Sequence, residues 1–489
     1  MNLNLYIKGK WHTPTNGQNR EIVNPANGEV IFHTVDGNKD DVQAAIQAAR
    51  SSFDQRDWPE MTSAQRSRLL MEVADRIEKQ LDTLAELEML DNGKPLHEAK
   101  IDVQDAADCF RYYASIIRKS NGKTFNPAPN LETVVVREPI GVCGLIVPWN
   151  FPLLMGVWKI AAALAAGNTI VLKPSEVTPI TAVKLFEIFA DTGFPAGVVN
   201  LVMGEGKIVG NELAISHDVD MVSFTGGTET VRQIMKAASG NLKKVSLELG
   251  GKSPNIIFAD TDIELAVDYA LYGIYYGAGQ ICSAASRILV EESIYDAFVD
   301  RFVARASKIT VGPGNNPDTE MGPLVSEEHM QKVLDYIRIG QEEGARLACG
   351  GNRLRNTGLS AGYFVEPTAF IDVEQNMRIV QEEVFGPVVT IQKFTDETEA
   401  IELANGTRYG LAGAVFTNDG NRAWRVIKKI KAGITWINTY HENYYEAPWG
   451  GYKESGIGRS LSETGLDEFS ELKQININLQ PDMINWFRE

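Results

Sequence analysis

A chain of 489 residues exceeds what one hydrophobic core supports, so two or three regions with separate interiors are expected. With 44 per cent hydrophobic residues, 23 per cent charged residues and 43 glycines, the composition is that of a folded globular protein rather than a disordered one. The formal net charge of −17 without a basic tract opposes binding to nucleic acid or anionic lipid.

The start, "MNLNLYIKGKWH", lacks a basic region followed by an apolar one. The longest apolar run, around "IAAALAAGNTIVL", is broken at Gly167 and Asn168 and is too short for a bilayer, so a cytoplasmic location without membrane contact is expected. Four cysteines, at 109, 143, 282 and 349, form no C-x-x-C pair, and the six histidines show no ligand spacing; neither a disulfide framework nor a metal site is expected.

The first third reads mainly as helix. From Ser63 to Asn92 apolar residues recur at three- and four-residue steps, and Asn92-Gly93 before Pro95 stops the pattern. Between Gly141 and Gly251 the pattern changes to strand candidates "GVCGLIV", "NTIVLK", "VVNLVM", "DMVSF" and "KVSLEL", separated by helical stretches, which predicts a parallel sheet covered by helices. Ligands of such sheets bind beyond the carboxyl ends of the strands, where this chain carries "PWN", "PSE", "GEG", "TGG" and "GGK". A second mixed region runs from about Asp260 to Arg459. Two further β pieces, "ETVVVREPIG" and "LKQININL", fall outside both regions, with edges able to pair between subunits. There is no internal repeat.

Chemistry concentrates at "YYGAGQICSAASR". Small neighbours leave the Cys282 sulfur unobstructed, yet an ordinary thiol, of pKa about 8.5, needs a base or a dipole to act as a nucleophile at neutral pH. Glu248, at the end of "KVSLEL", is a candidate base, because a carboxylate within an apolar run is costly unless paired or functional. Asn150 in "VPWNFP" is a candidate amide donor to an oxyanion. Alone, each has an ordinary alternative: an inert buried thiol, a strand-edge glutamate, a turn asparagine.

Taken in order, "PWNFP", "LKPSE", "FTGG", "LELGGKSP", "GQICSA", "EEVFGPV" and "PWGGYKESGIGR" resemble the NAD(P)-dependent aldehyde dehydrogenase superfamily, and "YIKGKW" and "NPANGEV" extend the likeness to nearly the whole chain. The resemblance implies an α/β architecture. A Rossmann-type cofactor domain over 1–120 and 141–250 would adjoin a catalytic α/β domain over 251–460, with a small β oligomerisation element over 121–140 and 461–489. It makes Cys282 the nucleophile, Asn150 with the Cys282 backbone N–H the oxyanion site, and Glu248 the base that activates water against the thioester.

The same likeness assigns the cofactor, NAD, to Trp149, Lys173, Glu176, Gly226, Gly227, Leu249, Glu383 and Phe385. Glu176 accepts from ribose hydroxyls and repels a 2′-phosphate, hence NAD rather than NADP. Gly227 stands where serine is common and Val231 where glycine is common, which leaves phosphate contacts at these positions open. Phe151, Trp158, Tyr276 and Trp449 fall where the family lines its substrate tunnel, an aromatic set resembling the subgroup that oxidises betaine aldehyde. Aminoaldehydes such as 4-aminobutyraldehyde, or a broad range of aldehydes, are the alternatives, and a non-catalytic protein on the same fold is the remaining one. The stretch "NTYHENYYEAPW" adds acidic and aromatic residues without individual roles, and Glu454 is either an extra proton acceptor or an exposed loop carboxylate. A homo-oligomer, dimer or tetramer, is expected.

Overall fold

The computed structural model describes residues 4–14, 17–119, 122–355, 358–484 and 486–487. The expected boundary at 120 and 121 lies outside them.

All five expected strands form: Val142–Ile146, Thr169–Lys173, Val199–Leu201, Met221–Thr225 and Lys244–Glu248. They are mutually parallel and lie side by side in the order third, second, first, fourth, fifth. Nearly all their residues are buried, as in a sheet covered on both faces, and this explains apolar runs that do not alternate. The chain leaves the central strand Val142–Ile146 in one direction and returns to its other side at Met221–Thr225, so a crevice opens between the ends of these two strands.

Leu5–Ile7 and Lys10–His12 extend one edge of this sheet. At the other edge Gly456–Ile457, from the far end of the chain, pairs antiparallel with Glu248 and Leu247. Gly456 has φ +143°, and a Cβ there would sit 2.2 Å from the Leu247 carbonyl oxygen, so the approach requires glycine. A two-residue strand carries no alternation, which is why "ESGIGR" reads as loop.

The helical pattern from Ser63 divides into Ser63–Lys79 and Leu81–Asn92, parted at Gln80 (φ −110°, ψ 18°), and ends as expected at a left-handed Gly93. Thr62 and Gln65 form a capping box at its start. The helix Leu96–Ile116 follows. Beneath the first sheet, Pro152–Ala166 is apolar almost all round and buried throughout except at Ala166, as its sequence "PLLMGVWKIAAALAA" requires.

The second region forms a seven-stranded sheet in the order Arg346–Cys349, Thr368–Ile371, Val388–Phe394, Arg287–Glu291, Pro254–Ile257, Ala412–Phe416, Ile434–Ile437. Only the Arg346–Cys349 edge is antiparallel.

The two remaining β pieces, expected to pair between subunits, pair first with each other: Ser470–Asn478 runs antiparallel to Leu131–Pro139, flanked by Lys123–Ala128. The register aligns nine residues on each strand. The outer edge of Ser470–Asn478 has no partner strand among the described residues. Among the described residues no helix is long and apolar enough to cross a membrane, and no group of three or more His, Cys, Asp or Glu is arranged to hold a metal ion.

Candidate active site

Cys282 follows the helix Ile263–Tyr275 through a tight turn in which Gly277, Ala278 and Gly279 all take positive φ. A Cβ on Gly279 would lie 2.1 Å from the Gly386 carbonyl oxygen, so glycine is what lets the "EEVFGP" loop close over the cysteine segment. Burial, with Glu248 and Glu383 nearby, pushes the Cys282 thiol above its ordinary range. The resting sulfur is therefore a protonated thiol that needs a base.

Glu248 ends its strand in the interior, 4 per cent exposed. Its Oε2 accepts from Thr225 Oγ1 at 3.1 Å, whereas Oε1 is buried without a partner. Burial raises its carboxyl, opposed by the Lys159 ammonium and the Thr225 hydroxyl. A carboxyl held above its ordinary range inside a cavity is suited to taking a proton. Lys159, on Pro152–Ala166, donates to Ser223 Oγ at 3.0 Å and is itself pushed down to about 8 by burial.

Asn150 Nδ2 donates to the Gln280 carbonyl at 2.8 Å, two residues before the nucleophile, which leaves its second N–H for an oxyanion. Its backbone is held from behind: Lys94 Nζ donates to the Asn150 carbonyl at 3.0 Å and pairs with Asp102, while Asn92 Nδ2 donates to the Trp149 carbonyl at 2.9 Å. The "DNGKP" turn, read as a helix stop, thus also anchors the backbone of Asn150.

Three cavities adjoin one another through shared lining residues. The first, about 470 Å³, fills the crevice of the first sheet and is lined by Trp149, Lys173, Glu176, Gly226 and Gly227 among others. Lys173 is buried and pairs with Glu176 at 2.9 Å, and Glu176 also accepts from the Gly206 N–H at 2.5 Å. Burial lowers Lys173, and although burial raises Glu176, Lys173 and the Gly206 N–H hold it below the usual carboxylate range. The second cavity, about 200 Å³, shares Pro148, Trp149, Gly226 and Gly227 with the first and holds Asn150, Glu248, Leu249, Cys282, Glu383 and Phe385. Through these shared residues the two cavities are continuous from Lys173 and Glu176 to Cys282. Gly227 caps the helix Thr228–Ala238 without a side-chain bond and has open space around it, whereas Val231 is 3 per cent exposed, turned into the core away from the recess lining.

The third cavity, about 150 Å³, shares Met155 and Cys282 with the second and is lined by Phe151, Trp158, Tyr276 and Trp449, the expected aromatic set. Trp158 and Trp449 meet edge to face at 5.6 Å. One face of Phe151 is already taken, with Lys94 Nζ 4.3 Å from its centroid, so the cage rests mainly on the other three rings. His441 and Asn443, from the "NTYHENYYEAPW" stretch, share this lining, as do Asp102, Asp105, Tyr272 and Ser283, which the sequence did not single out. The two aspartates lie on a helix whose pattern reads as packing; acidic residues three apart on its buried side were the available signal.

Of the "NTYHENYYEAPW" residues, Tyr440 donates to the Ser283 carbonyl at 2.9 Å and Tyr445 to the Asp105 carbonyl at 2.9 Å, so they support the tunnel wall, while Tyr444 is exposed. Glu454 faces Arg232 at 3.2 Å and Arg408 at 3.8 Å on the surface and does not line the cavity of Cys282 and Glu248.

Comparison with known proteins agrees with this geometry. Residues 11–475 match the model of the aldehyde dehydrogenase family. The chain is 50 per cent identical to the betaine aldehyde dehydrogenase of Bacillus subtilis, over the full length of both, and 46 per cent identical to an aldehyde dehydrogenase of Emericella nidulans, covering 98 per cent of this chain and 95 per cent of that one. A crystal structure of betaine aldehyde dehydrogenase from Staphylococcus aureus in complex with NAD+ superposes with a TM-score of 0.98 at 48 per cent identity, covering 99 and 97 per cent of the two chains. With a thiol lining both the recess of the first sheet and an aromatic cavity, and with this likeness along its whole length, the chain belongs to the aldehyde dehydrogenase family.

Proposed function

We propose that this protein oxidises betaine aldehyde to the carboxylic acid with NAD. The observation that carries the reading is the position of Cys282, which lines both the cofactor recess and a tunnel of aromatic rings and carboxylates. The B. subtilis and S. aureus relatives bear the name betaine aldehyde dehydrogenase, and the S. aureus structure contains NAD+.

In this reading the aldehyde enters past Asp105 and Tyr276 with its trimethylammonium group against the rings, where cation–π attraction needs no hydrogen bond. The Cys282 thiol releases its proton to water as the sulfur attacks the carbonyl carbon, forming a thiohemiacetal whose oxyanion takes the free Asn150 N–H; loss of hydride from that carbon leaves the thioester. NAD, when bound with its ring in the second cavity, supplies the hydride acceptor. Glu383, whose Oε1 accepts from the Gly251 N–H at 2.8 Å, and Phe385 orient that ring. Glu248 then takes a proton from water, the hydroxide adds to the thioester, and the carboxylic acid leaves as the thiol re-forms. Lys173 and Glu176 bind the adenosine ribose; a 2′-phosphate would meet the Glu176 charge, which favours NAD over NADP.

The outer edge of the three-stranded sheet suits pairing with a second copy, so a homo-oligomer belongs to the same proposal. Residues 1–120 and 141–250 act as the cofactor domain, 251–460 as the catalytic domain, and 121–140 with 461–489 as the subunit contact.

The test is NADH formation with betaine aldehyde, 4-aminobutyraldehyde and hexanal, by the parent and by Cys282→Ala. The proposal expects betaine aldehyde to lead and the variant to be inactive with all three. Undiminished oxidation by Cys282→Ala, or a lead for hexanal, contradicts it.

A further inference from the structure

The nicotinamide end of the recess contains a strained residue. Phe385 is not glycine, yet it holds φ +62°, a conformation that persists only where its surroundings over-determine it. Those surroundings converge on one side chain. His329 Nε2 lies 2.7 Å from the Phe385 carbonyl oxygen, and since a carbonyl only accepts, the imidazole is the Nε2–H tautomer. Burial keeps it neutral, holding it down to about 4.

His329 is itself fixed at both levels. Its backbone N–H donates to Ser326 Oγ at 3.1 Å, the cap of the helix Glu327–Glu342. Its ring packs at 4.9 Å from that of Trp149 and 6.1 Å from that of Phe385, and these two meet edge to face at 5.3 Å. The three rings come from a loop of the first sheet, a helix start and a loop of the second sheet, and all line the cavity that holds Cys282 and Glu248.

We infer that His329 is a positioning residue for the nicotinamide half of the cofactor: its N–H holds the Phe385 carbonyl, locks the left-handed turn, and so fixes the Glu383 and Phe385 side chains where the nicotinamide and its ribose bind. The inference rests on the NAD reading above. It assigns His329 no proton transfer.

Two variants separate donor from ring. His329→Phe keeps an aromatic ring without the donor; His329→Gln keeps a donor without the ring. NAD and AMP affinities are measured by quenching of tryptophan fluorescence, and amide exchange is followed over residues 382–387. His329→Phe should weaken NAD about 10- to 100-fold, the cost of a buried carbonyl left unpaired, with faster exchange over 382–387. AMP, which reaches only the adenosine half, should bind within about threefold of the parent, less than half a tenfold step in free energy. His329→Gln should recover most of the NAD affinity, and it carries the test if the Phe variant fails to fold. Parent-like NAD affinity in His329→Phe, equal loss in both variants, or equal loss of AMP and NAD overturns the inference. A parent protein that binds no NAD contradicts the cofactor reading instead.

Discussion

Glu248→Gln isolates the base from the scaffold around it. Glu248 Oε2 accepts from Thr225 and Oε1 has no partner, so glutamine can keep the Thr225 bond through its carbonyl oxygen and direct its NH2 into the unpartnered position. The shape and the bond survive; only basicity is lost. A positioned general base contributes roughly 10²- to 10⁴-fold, about 3 to 5 kcal/mol of barrier, and hydrolysis of the thioester is the step assigned to it. Rapid mixing of the variant with NAD and aldehyde should give a burst approaching one NADH per active site, then turnover at least about 10²-fold slower than the parent. Acid quenching during the slow phase should trap acylated Cys282. A steady rate within about tenfold of the parent, or slow turnover with no trapped acyl group, would refute the assignment of deacylation to Glu248.

The remaining predictions follow from the tunnel and the buried carboxylates. Burial pushes Asp105 up to about 6, so its charge is lost as pH falls through that value. The KM for a cationic aldehyde should therefore rise below about pH 6, by roughly three- to tenfold for one partly screened charge, while Asp105→Asn should show the higher KM at all pH values. A KM unchanged in the variant removes Asp105 from recognition. Glu88 is fully buried, 3.9 Å from the Lys94 ammonium, and burial, only partly opposed by that charge, pushes it from 4.5 up to about 7. The folded chain thus binds more protons than the unfolded one between these values, and its stability falls as pH rises through them. Glu88→Gln should raise the melting temperature more at pH 8 than at pH 5, by at most about 3 kcal/mol of stability, measured by calorimetry at both; an equal change at both pH values would show that Glu88 does not titrate there.

The candidate catalytic residues were legible less from their own neighbours, Cys282 among glycines and alanines, Glu248 before Gly250 and Gly251, Asn150 between prolines, each of which has an ordinary alternative, than from the order in which these stretches follow one another. The five parallel strands were legible because burial on both faces leaves continuous apolar runs. What escaped depends on partners distant in sequence. Asp102 and Asp105 sit on a helix that the sequence reads as packing, and only partners brought in by the fold, Lys94 for Asp102 and the neighbouring Tyr276 and Phe151, show that they border the tunnel. His329 gains its role from a carbonyl 56 residues away, and Lys94 from one 56 residues away in the other part of the chain. Glu454, in a motif that suggested chemistry, turns toward two arginines instead. The pairing of Ser470–Asn478 with Leu131–Pro139 joins segments more than 300 residues apart, a register that only the folded chain reveals.

The central claim is that the tunnel selects a trimethylammonium charge and not merely a bulky group beside the aldehyde. Betaine aldehyde and 3,3-dimethylbutanal share shape and reactive group and differ in one atom, nitrogen with its positive charge against carbon. The measurement is kcat/KM for the two, side by side with NAD at neutral pH. Attraction of the cation to desolvated aromatic faces, about 1 to 2 kcal/mol, predicts a roughly five- to thirtyfold preference for betaine aldehyde. Equal values, or a preference for the neutral aldehyde, would contradict it.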